Sequence, residues 1–412
     1  MVALILPAIN RGALVVAGGA ITLIGFSLPI STALDNILLG IVLIAFLLAG
    51  HFRERLQSLA RNPAVIALVG MIALIAGATL YGDAPEASRL KYLSKYSDLL
   101  LVVVLMPLFV CERTRRHALI AFGAAMMVTL LLSLLLSVGV LPPMRWLRGD
   151  PGNAVVFKLQ ITHNLLMAFA AFLFATVAVG ERVKWKRRAL YGLAFLALVD
   201  VFFLVHGRTG QVAFLALMVY FFTRHFGWRG LVAGVLTGAM AVIAAWYFSS
   251  IFRDHVVLTT AEYERSKVES AADSASSVGL RMEWYRNTLG VIAQRPLFGA
   301  GTGGFPDAYA AFVTDPAAQK PTHPHNQFLM TAAEMGLVGL CALLSLFIWL
   351  WRSAARIPDV LRGELARGLI LTFVVGCLFN SLLIDHTEGL FFVWMTALAF
   401  AGVGADGEGE VR

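Results

Sequence analysis

Charge is what this 412-residue sequence has least of: Asp, Glu, Lys and Arg make up 14% of it, where soluble domains carry about 25%. That scarcity, with 59% apolar residues and a mean hydropathy of +0.78, excludes a water-soluble globule and a disordered chain. Cysteine is scarce too. Cys111, Cys341 and Cys377 lie in or beside apolar runs, which excludes a disulfide-stapled module and says nothing of redox compartment. Lys and Arg are missing from the interiors of the apolar runs, where charge usually marks an ion or substrate pathway. The net charge of +8 is therefore read for its placement along the chain, and no nucleic-acid partner is expected.

Long hydrophobic runs are what the sequence has in abundance. A bilayer crossing needs about 20 mostly apolar residues. Uninterrupted stretches predict twelve spans, near 13–30, 35–50, 63–81, 98–111, 118–141, 162–180, 189–205, 210–223, 230–250, 326–351, 368–385 and 388–404. The runs at 98–111 and 210–223 are short for a full crossing. Arg11 and the first run resemble a secretory signal, but no small-residue cleavage site closes it and a second run follows at once. A retained first helix is expected. The fold class is an all-α integral membrane protein: spans one to nine over 1–251, a large outer loop with short helices over 252–325, and spans ten to twelve with a short tail over 326–412.

Orientation follows from Lys and Arg in the short loops. Alternate loops carry Arg53, Arg55 and Arg61; Arg113, Arg115 and Arg116; Arg182, Lys184, Lys186, Arg187 and Arg188; Arg224 and Arg229; then Arg352, Arg356, Arg362 and Arg367. With Arg11 and Arg412 these are nineteen of the 33 Lys and Arg. Both termini are expected in the cytoplasm, and the long loop on the outer face, where ATP and nucleotide sugars are absent. The outer segments 82–97, 142–160 and 206–209 can converge on it. Asp200, Glu334 and Asp385 fall in the outer halves of their helices. A transporter places its polar groups nearer the midplane and is often built from repeats; no repeat is visible here, and a polytopic lipid or solute transporter stands as the alternative of a different class.

Residues 279–294 have helical spacing, with Leu280, Trp284, Val291 and Ile292 on one stripe, and Trp284 and Tyr285 suit the headgroup level. Pro296 ends this helix. The turn Gly299-Ala-Gly301-Thr-Gly303-Gly304 formally matches G-x-G-x-x-G but follows a helix on the outer side, so it reads as a chain reversal, with a phosphate-binding nest as the alternative. Thr322-His323-Pro324-His325-Asn326-Gln327 then opens span ten. His325 lies at that helix's N-terminus, where the dipole disfavours imidazolium, and Asn326 is a candidate cap. A neutral imidazole at an interfacial cavity can accept a hydroxyl proton. His323 and His325 form an H-x-H pair without further ligands at metal spacing, so no metal is expected. Arginines share this face: Arg208 in the turn His206-Gly207-Arg208-Thr209-Gly210, Arg145 and Arg148 around Trp146, and Arg281, Arg286 and Arg295 on the loop helix. Each alone suits headgroup anchoring; together they suit a polyanion clamp, since guanidinium pairs bidentately with phosphate. Glu334, two turns into span ten, reads as scaffold, with Asn380 and Ser381 at comparable depth.

The order of these signals resembles a family. His206-Gly-Arg208-Thr-Gly is followed by Gly279-Leu-Arg281-Met-Glu-Trp284, Pro296-Leu-Phe-Gly-Ala-Gly301, Pro324-His325-Asn326-Gln-Phe-Leu329 and Glu334-Met-Gly-Leu-Val-Gly339. Over about 206–340 this is similar to the O-antigen ligase and polymerase superfamily of bacterial inner-membrane glycosyltransferases, and within it most to the ligases. The resemblance implies a GT-C-like fold of lipid-donor transferases in the inner membrane, with a periplasmic active site and neither metal, ATP nor other cofactor. It implies an undecaprenyl-pyrophosphate-linked glycan as donor and a sugar hydroxyl of lipid A–core as acceptor, among membrane lipids. It places the essential histidine at His325 and the pyrophosphate-binding arginines at Arg208 and Arg281; Arg145, Arg148, Arg286 and Asn326 are further candidates for substrate binding. The O-antigen polymerases, which join repeat units on the same carrier, are the alternative within the superfamily. Protein-glycosylating relatives usually carry extra outer sequence after the histidine motif; here only about three residues separate spans eleven and twelve.

Overall fold

The computed structural model describes residues 2–404 apart from 51, 143, 145, 250, 251, 255, 258, 259, 261–276 and 314–317. It is helical, and among the described residues no strand forms beyond an isolated bridge between Asp150 and Asn153. The helices are α1 (Val2–Ser27), α2 (Thr32–Ala49), α3 (Phe52–Leu59), α4 (Pro63–Gly77), α5 (Glu86–Tyr96), α6 (Leu101–Leu108), α7 (Glu112–Ser137), α8 (Gln160–Gly180), α9 (Lys184–Val199) and α10 (Arg208–Phe248). After them come α11 (Ser277–Gln294), α12 (Phe305–Phe312), α13 (Gln327–Ser353), α14 (Val360–Cys377) and α15 (His386–Phe400). Among the described residues five helical stretches are long and apolar enough to cross a membrane: α2, α7, α8, α10 and the stretch Gln327–Arg356 that contains α13.

Burial follows composition. Helix α15 is apolar all round apart from its first turn and is buried along nearly its whole length, as expected of a helix surrounded by others. Its Trp394 indole donates to the Ile21 carbonyl at 3.0 Å, and Phe391 stacks on Phe122 (5.3 Å between centroids) and meets Phe169 edge-on at 5.2 Å. Helix α8 is buried nearly as fully and packs against α9, α10 and α14. The two apolar runs 210–223 and 230–250 are the two arms of α10, joined without a loop and bent back on each other at Gly227, whose φ of 60° and ψ of −140° no other residue type adopts easily.

Three boundaries differ from those read in the sequence. The short run at 98–111 is a 3₁₀ turn (Ser97–Leu100) followed by α6, with Pro107 inside the last turn, and the preceding segment 82–97 is mostly helix α5. Helix α9 passes into a π turn, Asp200–Leu204, before the chain reverses. Helix α14 begins at Val360 and stops at Cys377, so eight residues, not three, separate it from α15; Leu382–Ile384 form a 3₁₀ turn and Asp385 stands at the cap position of α15.

Helix α13 is broken at Gly336, and the break organises the loop-rich face. Gly336 has φ 62° and ψ −158°. In an unbroken helix the Leu337 and Val338 amides would bond to Ala333 and Glu334. Instead Leu337 N–H donates to the Pro296 carbonyl (2.8 Å) and Val338 N–H to Leu297 (3.3 Å), while the Ala333 and Glu334 carbonyls accept from Ala300 (2.9 Å) and Gly301 (2.7 Å). The segment 296–301 is thus stitched into the gap. Thr302 continues the seam onto α4: its amide donates to Ala78 (3.1 Å) and its hydroxyl to Ile75 (2.7 Å). Irregular backbone at such depth persists only where its polar groups are met within the protein, and here they are.

Candidate functional site

The purpose of the seam is visible in the glycine turn. The amides of residues 300–304 all have internal acceptors, Gly303 N–H donating to the Glu334 side chain at 2.7 Å. The turn offers no nest for a phosphate and is a structural wedge. Glu334 is scaffold, as expected, but its partner is this amide and not Asn380 or Ser381. The wedge fixes the first turns of α13 and, with them, the residues immediately before it.

His325 stands there with φ +52°, in the left-handed region, unlike every other described residue that is not glycine. Such strain costs on the order of 1–3 kcal/mol and is held where surroundings over-determine it. They do so here. Asn326 caps α13 through Leu329 N–H (3.0 Å) and donates to the Leu378 carbonyl at the end of α14 (3.0 Å). Gln327, fully buried, donates to Tyr96 of α5 and accepts from Leu383 N–H (3.1 Å). Tyr285 of α11 donates to the His325 carbonyl at 3.1 Å, and Trp284 stacks its ring on the imidazole (5.3 Å, 18° between planes). Trp284 and Tyr285, expected at the headgroup level, both hold the histidine. Asn326, a candidate for substrate binding, has both ends of its side chain engaged with backbone.

The imidazole's tautomer follows from its partners. Asn380 Nδ2 donates to Asp385 Oδ2 (3.1 Å), so Asn380 Oδ1 is the end that faces His325 Nδ1, 3.2 Å away, and it can only accept. His325 therefore carries its proton on Nδ1, leaving the Nε2 lone pair available. Burial first, then the Arg281 charge, lower the His325 pKa below its ordinary value, against the Asn380 hydrogen bond. His323, with its ring 4.3 Å from that of His325, is pushed down to about 4 by burial, then by His325, Lys95 and Arg281. Its Nδ1 accepts from the His325 amide (3.3 Å). Both rings are neutral at physiological pH.

Cations surround this pair. Arg281, half-buried on α11, has its pKa lowered by burial and by the nearby Arg208, against the opposing influence of Tyr285. Arg208 is the exposed first residue of α10, so its guanidinium adds to the positive end of a helix dipole. Arg208 is close enough for its charge to act on Arg281, and Arg281 close enough to act on His325 and His323. The other candidates fare differently. Arg148 is exposed and donates its Nε to the Phe157 carbonyl at 3.0 Å. Arg286 is exposed on α11. Arg145 lies outside the described residues. Three groups join the site that sequence reasoning does not place there. One is Lys95, whose ammonium sits 5.2 Å over the Tyr92 ring and whose charge bears on His323; the others are Asn380 and Asp385, for which depth in the membrane is the only signal the sequence carries. Among the described residues no group of three or more His, Cys, Asp or Glu is placed to hold a metal.

A half-buried, hydrogen-bonded neutral imidazole with an unprotonated nitrogen, near Arg281 and through it Arg208, is suited to take a proton from a hydroxyl next to a polyanion. Residues 192–344 match the family model described as O-antigen ligase. The matched stretch includes Arg208, Arg281, the two histidines and Glu334 and ends before Asn380 and Asp385. No curated protein gives a match to the chain.

Proposed function

We propose that the chain, whose residues 192–344 match the O-antigen ligase family model, is a ligase of the O-antigen ligase and polymerase superfamily. It takes a glycan from undecaprenyl pyrophosphate and transfers it to a sugar hydroxyl of lipid A–core at the periplasmic face of the inner membrane. The observation that carries this reading is the contact of His325 Nδ1 with Asn380 Oδ1, which leaves Nε2 as the basic nitrogen, within the field of Arg281, which Arg208 in turn adjoins.

In this reaction His325 Nε2 removes the acceptor hydroxyl's proton as its oxygen attacks the anomeric carbon. The bond from that carbon to the diphosphate oxygen breaks in the same displacement, inverting the centre. Charge builds on the departing oxygen, and Arg208 and Arg281 neutralise it where water is scarce and electrostatic contacts are strong. A sugar diphosphate is already a good leaving group, so neither nucleotide nor metal is needed. The carrier's tail lies along the membrane helices. An apolar cavity of about 380 Å³ between α8, α9 and α10, lined by Phe172, Phe195, Leu198, Phe214 and Phe221 among others, supports that placement: it flanks the same helix that Arg208 begins. Twelve spans with both termini in the cytoplasm accommodate the arrangement.

The test is reconstitution. Purified protein, a synthetic undecaprenyl-pyrophosphate glycan and lipid A–core, without nucleotide, yield glycosylated core, and His325→Ala that is inserted and folded yields none. Lipid movement without bond formation would favour transport instead. A deletion strain separates ligase from polymerase: loss of a ligase strands polymerised glycan on its carrier, whereas loss of a polymerase leaves single repeats on core.

A further inference from the structure

The turn that delivers Arg208 is held by one buried side chain outside the reacting centre. The π turn Asp200–Leu204 ends α9, and its wider winding leaves carbonyls without helical partners. Asn164, one turn into α8 and fully buried, meets them. Its Nδ2 lies 3.1 Å from the Gly207 carbonyl, 3.2 Å from Val205 and 3.4 Å from Val201, two hydrogens shared among three acceptors. Its neighbour His163 bonds Asp200 at 2.9 Å, and Asp200 also accepts from Ser133. On the far side, Asn153 Oδ1 accepts from His206 N–H (3.1 Å) and Ala154 N–H donates to Leu204 (2.8 Å). Contact is close enough that a Cβ on Gly207 or Gly210 would fall 2.4 Å from an Asn164 atom. This accounts for both glycines flanking Arg208 in the motif.

We propose that Asn164 is a positioning residue for the lipid carrier's diphosphate: it sets the carbonyls of 201, 205 and 207 so that α10 starts with Arg208 facing Arg281. The inference rests on the reading of Arg208 as a diphosphate ligand. Asn164 touches no substrate. Its effect reaches binding only through Arg208, which separates it from a residue that merely keeps the helices packed.

The experiment is a double-mutant cycle on binding of undecaprenyl diphosphate to the full-length protein in detergent, with thermal melting alongside. Arg208→Ala weakens binding about 10- to 100-fold, the usual weight of a charge-assisted contact. Asn164→Ala weakens it about tenfold, and the double variant binds no more weakly than Arg208→Ala alone, because the residue positioned is gone. Wild-type affinity in Asn164→Ala, or losses that multiply in the double variant, overturns the inference. Should Asn164→Ala fail to fold, Asn153→Ala, which loosens the same turn from the loop side, carries the same criterion. A wild-type protein that binds the diphosphate but makes no glycosylated core sinks the proposed function and leaves this cycle to be read on its own terms. One that makes it while Asn164→Ala binds normally sinks this inference alone.

Discussion

Replacing Asn380 tests the chemistry without touching a group that meets substrate. Its side chain bridges His325 and Asp385 at 3.2 and 3.1 Å. Asn380→Ala removes the acceptor that keeps the His325 proton on Nδ1 and leaves the Asp385 carboxylate without this donor. The imidazole then samples the tautomer with its proton on Nε2, which cannot accept from the hydroxyl, and its ring is held by stacking alone. One lost hydrogen bond of ordinary strength is worth about 1 kcal/mol, and a misaligned general base forfeits part of the roughly 10²–10⁴-fold it supplies. The expected loss is about 10- to 100-fold in kcat, with KM for the donor unchanged. Asn380→Asp behaves otherwise. A carboxyl group at 380 still accepts from Nδ1–H, so the tautomer is kept; it shares a proton with Asp385, 3.1 Å away, but the negative charge of the pair now lies directly against the ring and favours imidazolium. Turnover at about pH 8 then stays near wild type and the acid limb of the pH–rate profile moves upward. The assay is initial-rate transfer from a synthetic lipid-linked donor between about pH 5 and 9. An Asn380→Ala variant with wild-type kcat, or an Asn380→Asp variant with an unmoved acid limb, refutes the assignment of Nε2 as the base.

For the wild type, the lowered His325 pKa predicts an acid limb of the pH–rate profile whose midpoint lies below the ordinary histidine value of about 6.5. The same sign governs stability. Neutral His323, at about 4 when folded, resists a proton that the unfolded chain accepts near pH 6.5, so melting temperature falls as pH drops from about 6.5 towards 4 and is flat above. Gly336→Ala places a Cβ 2.2 Å from the Leu297 carbonyl carbon at a φ of 62°; it should unseat segment 296–301 and abolish recovery of monodisperse protein, a result checked by size-exclusion chromatography. Glu334→Ala leaves the Gly303 amide buried without an acceptor, a cost of about 1–3 kcal/mol before any cavity. Glu334→Gln retains an acceptor for it and should melt within a few degrees of wild type. Lys158 binds Thr32 and Thr387 (2.8 and 3.0 Å) and pairs with buried Asp35 (3.6 Å). Lys158→Met alone should cost about 3–5 kcal/mol by stranding that carboxylate, while Lys158→Met with Asp35→Asn recovers most of it in a melting assay.

How much of the fold and site is legible in the sequence depends on how local the cause is. Apolar runs and the helix at 279–294 are legible because a dozen consecutive residues carry each signal. His325, Arg208 and Arg281 are legible through motifs that span only a few positions. The stop of α14 at Cys377 is not. Residues 378–385 read as apolar continuation, yet Leu378 gives its carbonyl to Asn326 and Tyr285, and Leu383 gives its amide to Gln327. Partners far away in the chain decide where that helix ends. Asn380 and Asp385 are hidden for the same reason: an amide and an acid five residues apart mean nothing until the 3₁₀ turn between them lets the acid hold the amide against His325. Asn164 lies inside an apolar run, where a lone amide looks like an incidental polar residue.

The same distinction divides the motifs by what they do. His206-Gly-Arg208 and Pro324-His325-Asn326 carry the side chains of the proposed reaction. Pro296-Leu-Phe-Gly-Ala-Gly301 and Glu334-Met-Gly-Leu-Val-Gly339 deliver none; they carry the backbone hydrogen bonds of the seam, four across it where an unbroken helix would have made two within itself. Both motifs are tied to this exchange because His325 sits shortly before Glu334, in a strained conformation that a continuous helix entering from a free loop would not hold. A base must stay aligned with its hydroxyl to within a fraction of an ångström. If the donor is the proposed lipid carrier, arriving by lateral diffusion, rigidity at that point has to come from the membrane helices themselves. A break in α13, filled by the segment that follows the helix carrying Arg281, joins the proposed base and the proposed diphosphate ligand into one body.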